Sequence, residues 1–173
     1  SSVTDTDIIT AMNLVSAHYS VLWPLRLGQI LSGTKYGNWL PSLETYGHHI
    51  GIAFQLQDDI LGLIGDTNQT GKPVGNDIRE AKKTLLIWHA YNQSNSSDRE
   101  FLDSIMGQPL NQDSYKRLQS ILSSTHALDY AQTQKQESIT QALKALDSLP
   151  SSVNSQAKTH LADMAHFLSH RNH

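Results

Sequence analysis

Phe54-Gln55-Leu56-Gln57-Asp58-Asp59-Ile60-Leu61-Gly62-Leu63 sets two adjacent carboxylates in an otherwise apolar stretch. An unpaired charge in a protein core is expensive, so two neighbouring aspartates there call for a compensating cation. Downstream comes Thr70-Gly71-Lys72-Pro73-Val74-Gly75-Asn76-Asp77-Ile78, a Gly/Lys loop able to hold an anionic group beside that cation. Acid pair plus basic loop suggests a metal-bridged phosphate site.

The same stretch fixes the local structure. Leu43, Tyr46, Gly47, Ile50, Ala53, Phe54 and Leu61 recur at helical spacing, which predicts a helix from about Pro41 to Ile64. Upstream, Thr4 or Thr6 is placed to cap a helix running to about Ser32, with a kink at Pro24 and a stop at Gly33. Residues 65–81, rich in Gly, Asn, Thr and Pro, read as a loop. Helices are expected at about 82–93, 98–107, 111–123, 126–148 and 152–169, the last two broken at Pro150. Strand alternation and internal repeats are absent. The pattern is all-α, and the 173 residues read as a single helical domain spanning 1–173.

That length suffices for a core, and 38% hydrophobic residues with a net charge of −3 exclude a disordered chain and a broadly basic nucleic-acid surface. With no cysteine there can be no disulfide and no thiolate metal site, in keeping with a cytoplasmic location. No apolar run approaches the ~20 residues that cross a bilayer. The first residues lack the basic and apolar regions of a signal peptide, and the chain does not begin with Met, so processing or loss of an upstream segment is expected.

On a helix Gln55 lies beside both Asp58 and Asp59, with Gly62 one turn beyond and Asp66 able to return to that side. Carboxylate oxygens completed by water and substrate phosphates are what Mg²⁺ prefers. Lys72 sits in a Gly-flanked segment, and Lys82 and Lys83 open the next expected helix; glycine permits close backbone approach, and lysine is a flexible point charge for phosphate. Plain alternatives stand beside this: exposed helical acids paired to lysine, a solvated turn, and local salt links among Asp77, Arg79 and Glu80. The loop lacks the Gly-Lys-Ser/Thr ending of a nucleotide P-loop. Adjacent His48 and His49 diverge on a helix and cannot share a metal, while His166 and His170 have the right spacing near one end. His18 is read as packed or pocket-lining. Asp103, Asp113 and Asp129 are isolated surface or capping acids.

Taken together, these segments resemble the C-terminal half of a trans-isoprenyl diphosphate synthase of the polyprenyl synthetase family. Phe54-Gln55 with Asp58-Asp59 is similar to that family's second aspartate-rich motif, and Asp66 through Leu85 to the loop and helix after it. Ser16-Ala17-His18-Tyr19-Ser20 with Pro24-Leu25-Arg26-Leu27-Gly28 matches the helix carrying its Lys-Thr/Ser-Ala motif, and Ala127-Leu128-Asp129-Tyr130-Ala131 a late helix. The resemblance implies a partial isoprenoid-synthase bundle and a prenyltransferase that condenses an allylic diphosphate with isopentenyl diphosphate, Mg²⁺ assisting departure of the diphosphate. It implies Asp58 as direct metal ligand, Asp59 supporting it or binding through water, and Gln55 beside the reacting carbons. It further implies Lys72 and Lys82 on the allylic diphosphate, and Ser16 as the hydroxyl of the Lys-Thr/Ser motif.

Departures from the pattern shape the expectation. Val15 stands where the family usually has lysine, and a missing charge-assisted contact costs on the order of 1.5–3 kcal/mol. Gly62 stands at the motif's third aspartate. The family's first Asp-rich motif has no counterpart here. The fragment is therefore expected to be inactive alone and to expose apolar helix faces that a second copy, as in a homodimer, or an N-terminal half would cover. The alternative is a non-catalytic regulatory or structural partner of a full-length synthase.

Overall fold

The computed structural model describes residues 3–33, 37, 39–64 and 75–170. Among these, every regular element is a helix and no strand occurs. Helix α1 is Asp5–Met12, followed without a break by a π-helical segment, Asn13–Leu22, and by α2, Trp23–Leu31. Then come α3 (Leu40–Ile64), α4 (Asn76–Arg79), α5 (Leu85–Gln93), α6 (Ser96–Ile105), α7 (Gln112–Ser124), α8 (Ala127–Asp147) and α9 (Ser155–His170).

Helix starts follow side-chain chemistry. Thr4 Oγ1 accepts from Asp7 N–H at 3.2 Å while Thr4 N–H donates to Asp7 Oδ2 at 2.9 Å, a reciprocal cap. Asn95, Asn111 and Asn154 accept from the amides of Asp98, Ser114 and Ala157 at 3.0, 2.8 and 3.1 Å. Thr84 accepts from Ile87 N–H, so α5 starts at Leu85, and Lys82 and Lys83 precede the helix they were expected to open. The kink expected at Pro24 coincides with a change of winding. Trp23 N–H still donates to His18 O, five residues back, and Pro24, which has no N–H, lies in the first turn of α2. Gly33, at φ +66°, follows that helix as its expected stop.

Contact density divides the chain into two compact units. The first holds residues 3–8, 56–64 and 75–133, with a core of Leu63, Ile78, Leu86, Ala90, Leu102, Leu118 and Ile121 drawn from α3 to α7. The second holds 9–33, 37, 39–55 and 134–170, with a core of Tyr46, Ile50, Ala53, Ile139, Ala142, Leu146 and Ala165. Tyr46 is fully buried and donates its hydroxyl to Leu161 O at 2.9 Å; burial pushes its pKa up, so it stays protonated.

In the second unit α3 and the π segment meet at Gly51, where an added Cβ would stand 2.2 Å from Ala17 Cα. Gly28 in α2 has nothing within 4 Å of such a Cβ. Thermal denaturation should therefore separate the two positions. Gly51→Ala is expected to cost about 1–3 kcal/mol through overpacking against backbone, whereas Gly28→Ala gains about 0.5–1 kcal/mol of helix propensity.

Candidate diphosphate and metal site

In the first unit the acid pair is split by the turn of α3: Asp59 is 1% exposed, and Asp58 is half-buried. The cation that Asp59 needs is Lys82, whose Nζ lies 2.5 Å from Asp59 Oδ1 and 4.0 Å from Asp77 Oδ2. Burial works against the lysine's charge, but Asp59's charge and hydrogen bond, with Asp77 and Asp58 behind them, outweigh it and raise its pKa above the ordinary 10.5.

A helix-ending turn delivers that lysine. At the end of α4, Lys82 N–H donates to Asp77 O at 2.9 Å and Ala81 N–H to Ile78 O at 2.9 Å, a Schellman closure with Ala81 in the left-handed position at φ 53°. Alanine there carries a steric cost of about 1–2 kcal/mol, and the two flanking bonds hold it. One short motif thereby sets Asp77 at its start and Lys82 at its end. Gly75, at φ 80°, begins α4, and its N–H donates to Gly62 O at 3.0 Å, tying the motif to α3. At Gly62 a Cβ would lie 2.7 Å from Asp77 Oδ2 and 3.3 Å from Oδ1. The glycine thus leaves room for a carboxylate that arrives from α4. Asp77, read from sequence only as a partner in local salt links, is the acid that sequence reasoning missed; its one signal was its place near the end of the Gly/Lys loop segment.

In the second unit Ser16, 5% exposed, donates its Oγ to Gln55 Oε1 in a short hydrogen bond. Two residues singled out for separate reasons are therefore direct partners. Lys72 and Asp66 lie outside the described residues. Among the described residues no three His, Asp or Glu side chains form a ready-made metal cage. The isolated acids behave as read: Asp103 accepts from the Tyr91 hydroxyl at 3.2 Å, Asp113 lies in the first turn of α7, and Asp129 pairs with His126.

Also in the second unit, His18, His48 and His49 line an open cavity of about 520 Å³ with Arg26 and Glu44, which pair at 2.5 Å. The rings of His48 and His49 meet edge to face, and His48 Nδ1 lies 2.7 Å from Asn13 Oδ1. Desolvation, then the nearby His18, lowers the pKa of His48; desolvation, then His48, lowers that of His49.

The polyprenyl synthetase family model matches residues 9–125, a stretch that contains the π segment, α3, the acid pair and the Lys82 turn. The chain belongs to the polyprenyl synthetase family. Among curated relatives of the family, the geranylfarnesyl diphosphate synthase of Aeropyrum pernix is 36% identical over 157 residues, 89% of this chain and 48% of that protein. The geranylgeranyl diphosphate synthase of Saccharolobus solfataricus is 35% identical over 75% of this chain and 39% of its own length. Among solved structures, a geranylgeranyl pyrophosphate synthase from Corynebacterium glutamicum, complexed with isoprenyl diphosphate and magnesium, superposes with a TM-score of 0.88 at 27% identity. The match covers 97% of this chain and 47% of that one. The all-α isoprenoid-synthase fold expected from sequence is thereby established. This polyprenyl synthetase chain spans about half the length of the curated relatives it matches.

Two outcomes follow for this family member. Lys82→Met removes a paired cation from the buried Asp59 carboxylate and should destabilise the protein by about 2 kcal/mol in urea unfolding. That is less than for a fully enclosed pair, because the lysine side chain is 41% exposed. Adding Asp59→Asn should recover much of the loss. For the histidines, folded-state pKa values below the unfolded 6.5 mean that the unfolded chain binds more protons as pH falls. Stability should be full above pH 6.5 and decline below it, and His48→Gln should flatten that decline in a thermal-shift series.

Proposed function

We propose that this chain supplies one wall of an Mg²⁺–diphosphate site used to condense an allylic diphosphate with isopentenyl diphosphate. The observation that carries the reading is the ion pair of the buried Asp59 with the half-exposed Lys82, set beside the more open Asp58. Both substrates are polyanions, and the reaction turns on stabilising negative charge as diphosphate leaves. A lysine held in place by a buried carboxylate is a preorganised cation for that task. Support also comes from the relatives, which are named as prenyl diphosphate synthases, and from a structural neighbour that holds isoprenyl diphosphate and magnesium.

The donor set fits Mg²⁺ in part. Asp58 and Asp59 offer hard oxygen donors on one turn of helix, and Mg²⁺ characteristically takes one or two carboxylates and completes its shell with water and substrate phosphate. In this reading Asp58 is the direct ligand and Asp59 the support, anchored through Lys82. When bound, the metal would neutralise charge on the departing diphosphate. Lys82 and Lys72 bind the allylic diphosphate. Ser16 and Gln55 are substrate-binding residues in this reading, and their mutual hydrogen bond fixes the carboxamide. The family's first Asp-rich motif has no counterpart in this chain, so in this reading the carboxylates opposite Asp58 come from elsewhere.

A second reading, a non-catalytic partner of a full-length synthase, draws on a specific feature. Val15, at the position where the family usually has lysine, is 69% exposed within the apolar row Val15, Tyr19, Trp23, Leu27 and Leu31, a surface suited to contact with protein. Isothermal titration of the whole chain with Mg²⁺ and a thiolo-diphosphate analogue of an allylic substrate discriminates. The proposal expects saturable, Mg²⁺-dependent binding that weakens at least about tenfold in Asp58→Ala, the loss of one charged ligand. Equal affinity in the variant sinks the site assignment. No binding by the unaltered chain favours the partner reading.

A further inference from the structure

Within the first unit, α5 and α6 enclose a cavity of about 390 Å³ lined by Val3, Ile87, Trp88, Tyr91, Leu102 and Met106. Small-molecule pockets span about 300–1,000 Å³ and are mostly apolar with a few placed polar groups. Its walls are fixed by their own bonds: Trp88 Nε1 donates to Val3 O at 3.0 Å, Tyr91 Oη to Asp103 Oδ2 at 3.2 Å, and Arg99 Nε to Tyr91 O at 2.9 Å. At the rim stands Lys83, an exposed ammonium with no ion pair among the described residues. The rim carboxylate, Asp103, already accepts from Tyr91.

We propose that this cavity is a binding site for a small amphipathic anion, its apolar body against Trp88, Tyr91 and Met106 and its carboxylate or phosphate head on Lys83. The chemistry follows from the lining. Aromatic rings and a thioether accept an aliphatic or flat apolar body with little demand on exact shape. Of the polar residues in the lining, Asn92 Nδ2 donates to Trp88 O and Asp103 Oδ2 accepts from Tyr91, while the Lys83 ammonium has no ion pair among the described residues. Lys82 and Lys83 leave the same short non-helical stretch, Ala81–Thr84, so adjacent lysines serve different sites: one goes to Asp59 and the other to this cavity. The proposal does not depend on the diphosphate reading, since it uses none of that site's groups.

The chain has three methionines, Met12, Met106 and Met164, and of these Met106 lines the cavity. Methyl-¹³C-methionine NMR on the whole chain therefore reports the site directly. The probe is decanoate below its micellar concentration, with decanol and decyltrimethylammonium as neutral and cationic counterparts. Decanoate should shift the Met106 methyl saturably and leave Met12 in place, decanol should bind about tenfold more weakly for want of the charged contact, and Lys83→Gln should erase that difference. Absence of a saturable Met106 shift overturns the proposal. So do a shift confined to Met164, equal affinities for decanoate and decanol, preference for the cationic probe, or an anion preference that survives in Lys83→Gln.

Discussion

A carboxylate at 1% exposure governs this chain's site, because Asp59 can be buried and ionised only if a cation comes with it. Lys82 is that cation, and the local backbone is arranged to deliver it. The short α4, the left-handed Ala81, the paired bonds from Ala81 and Lys82 back to Ile78 and Asp77, and the Thr84 cap of α5 form one device. Gly62 and Gly75 belong to it too. The first lacks the side chain that would collide with Asp77; the second bonds its N–H to α3.

Much of this was legible in the sequence. The apolar period of α3 gave a helix that differs from expectation by one residue at its start, and Thr4, one of the two expected caps, does cap the first helix. The acid pair announced a need for compensation, and the sequence offered Lys72 and Lys82 without choosing between them. What escaped has physical reasons. A Schellman closure usually advertises itself by glycine, and here the left-handed residue is alanine. The wider winding of Asn13–Leu22 leaves no signature in a pattern of apolar spacing. The Ser16–Gln55 bond joins residues 39 apart in sequence, and only folding brings them together.

The π segment and α2 show another constraint. Ser16 and Ala17 turn inward, Ala17 against the bare backbone of Gly51, while Leu14, Val15, Tyr19, Trp23, Leu27 and Leu31 face out. Burying one large apolar side chain is worth about 1.5–3 kcal/mol, so a row of them left in water is a large unused driving force for association. It accords with a chain that matches about half the length of its relatives.

Lys82 has two tasks in the proposed chemistry, since it pairs with Asp59 and would also meet the diphosphate. An ammonium carries three donors. One is spent on Asp59 Oδ1 at 2.5 Å, and Asp77 Oδ2 at 4.0 Å lies beyond hydrogen-bond reach. With 41% of the side chain exposed, a donor can meet an incoming phosphate oxygen while the first stays on Asp59. Substrate contact therefore requires no break in the Asp59–Lys82 pair. The interaction that stabilises the fold locally is the same one that would hold the cation ready, and a lysine displaced from Asp59 would lose both roles together.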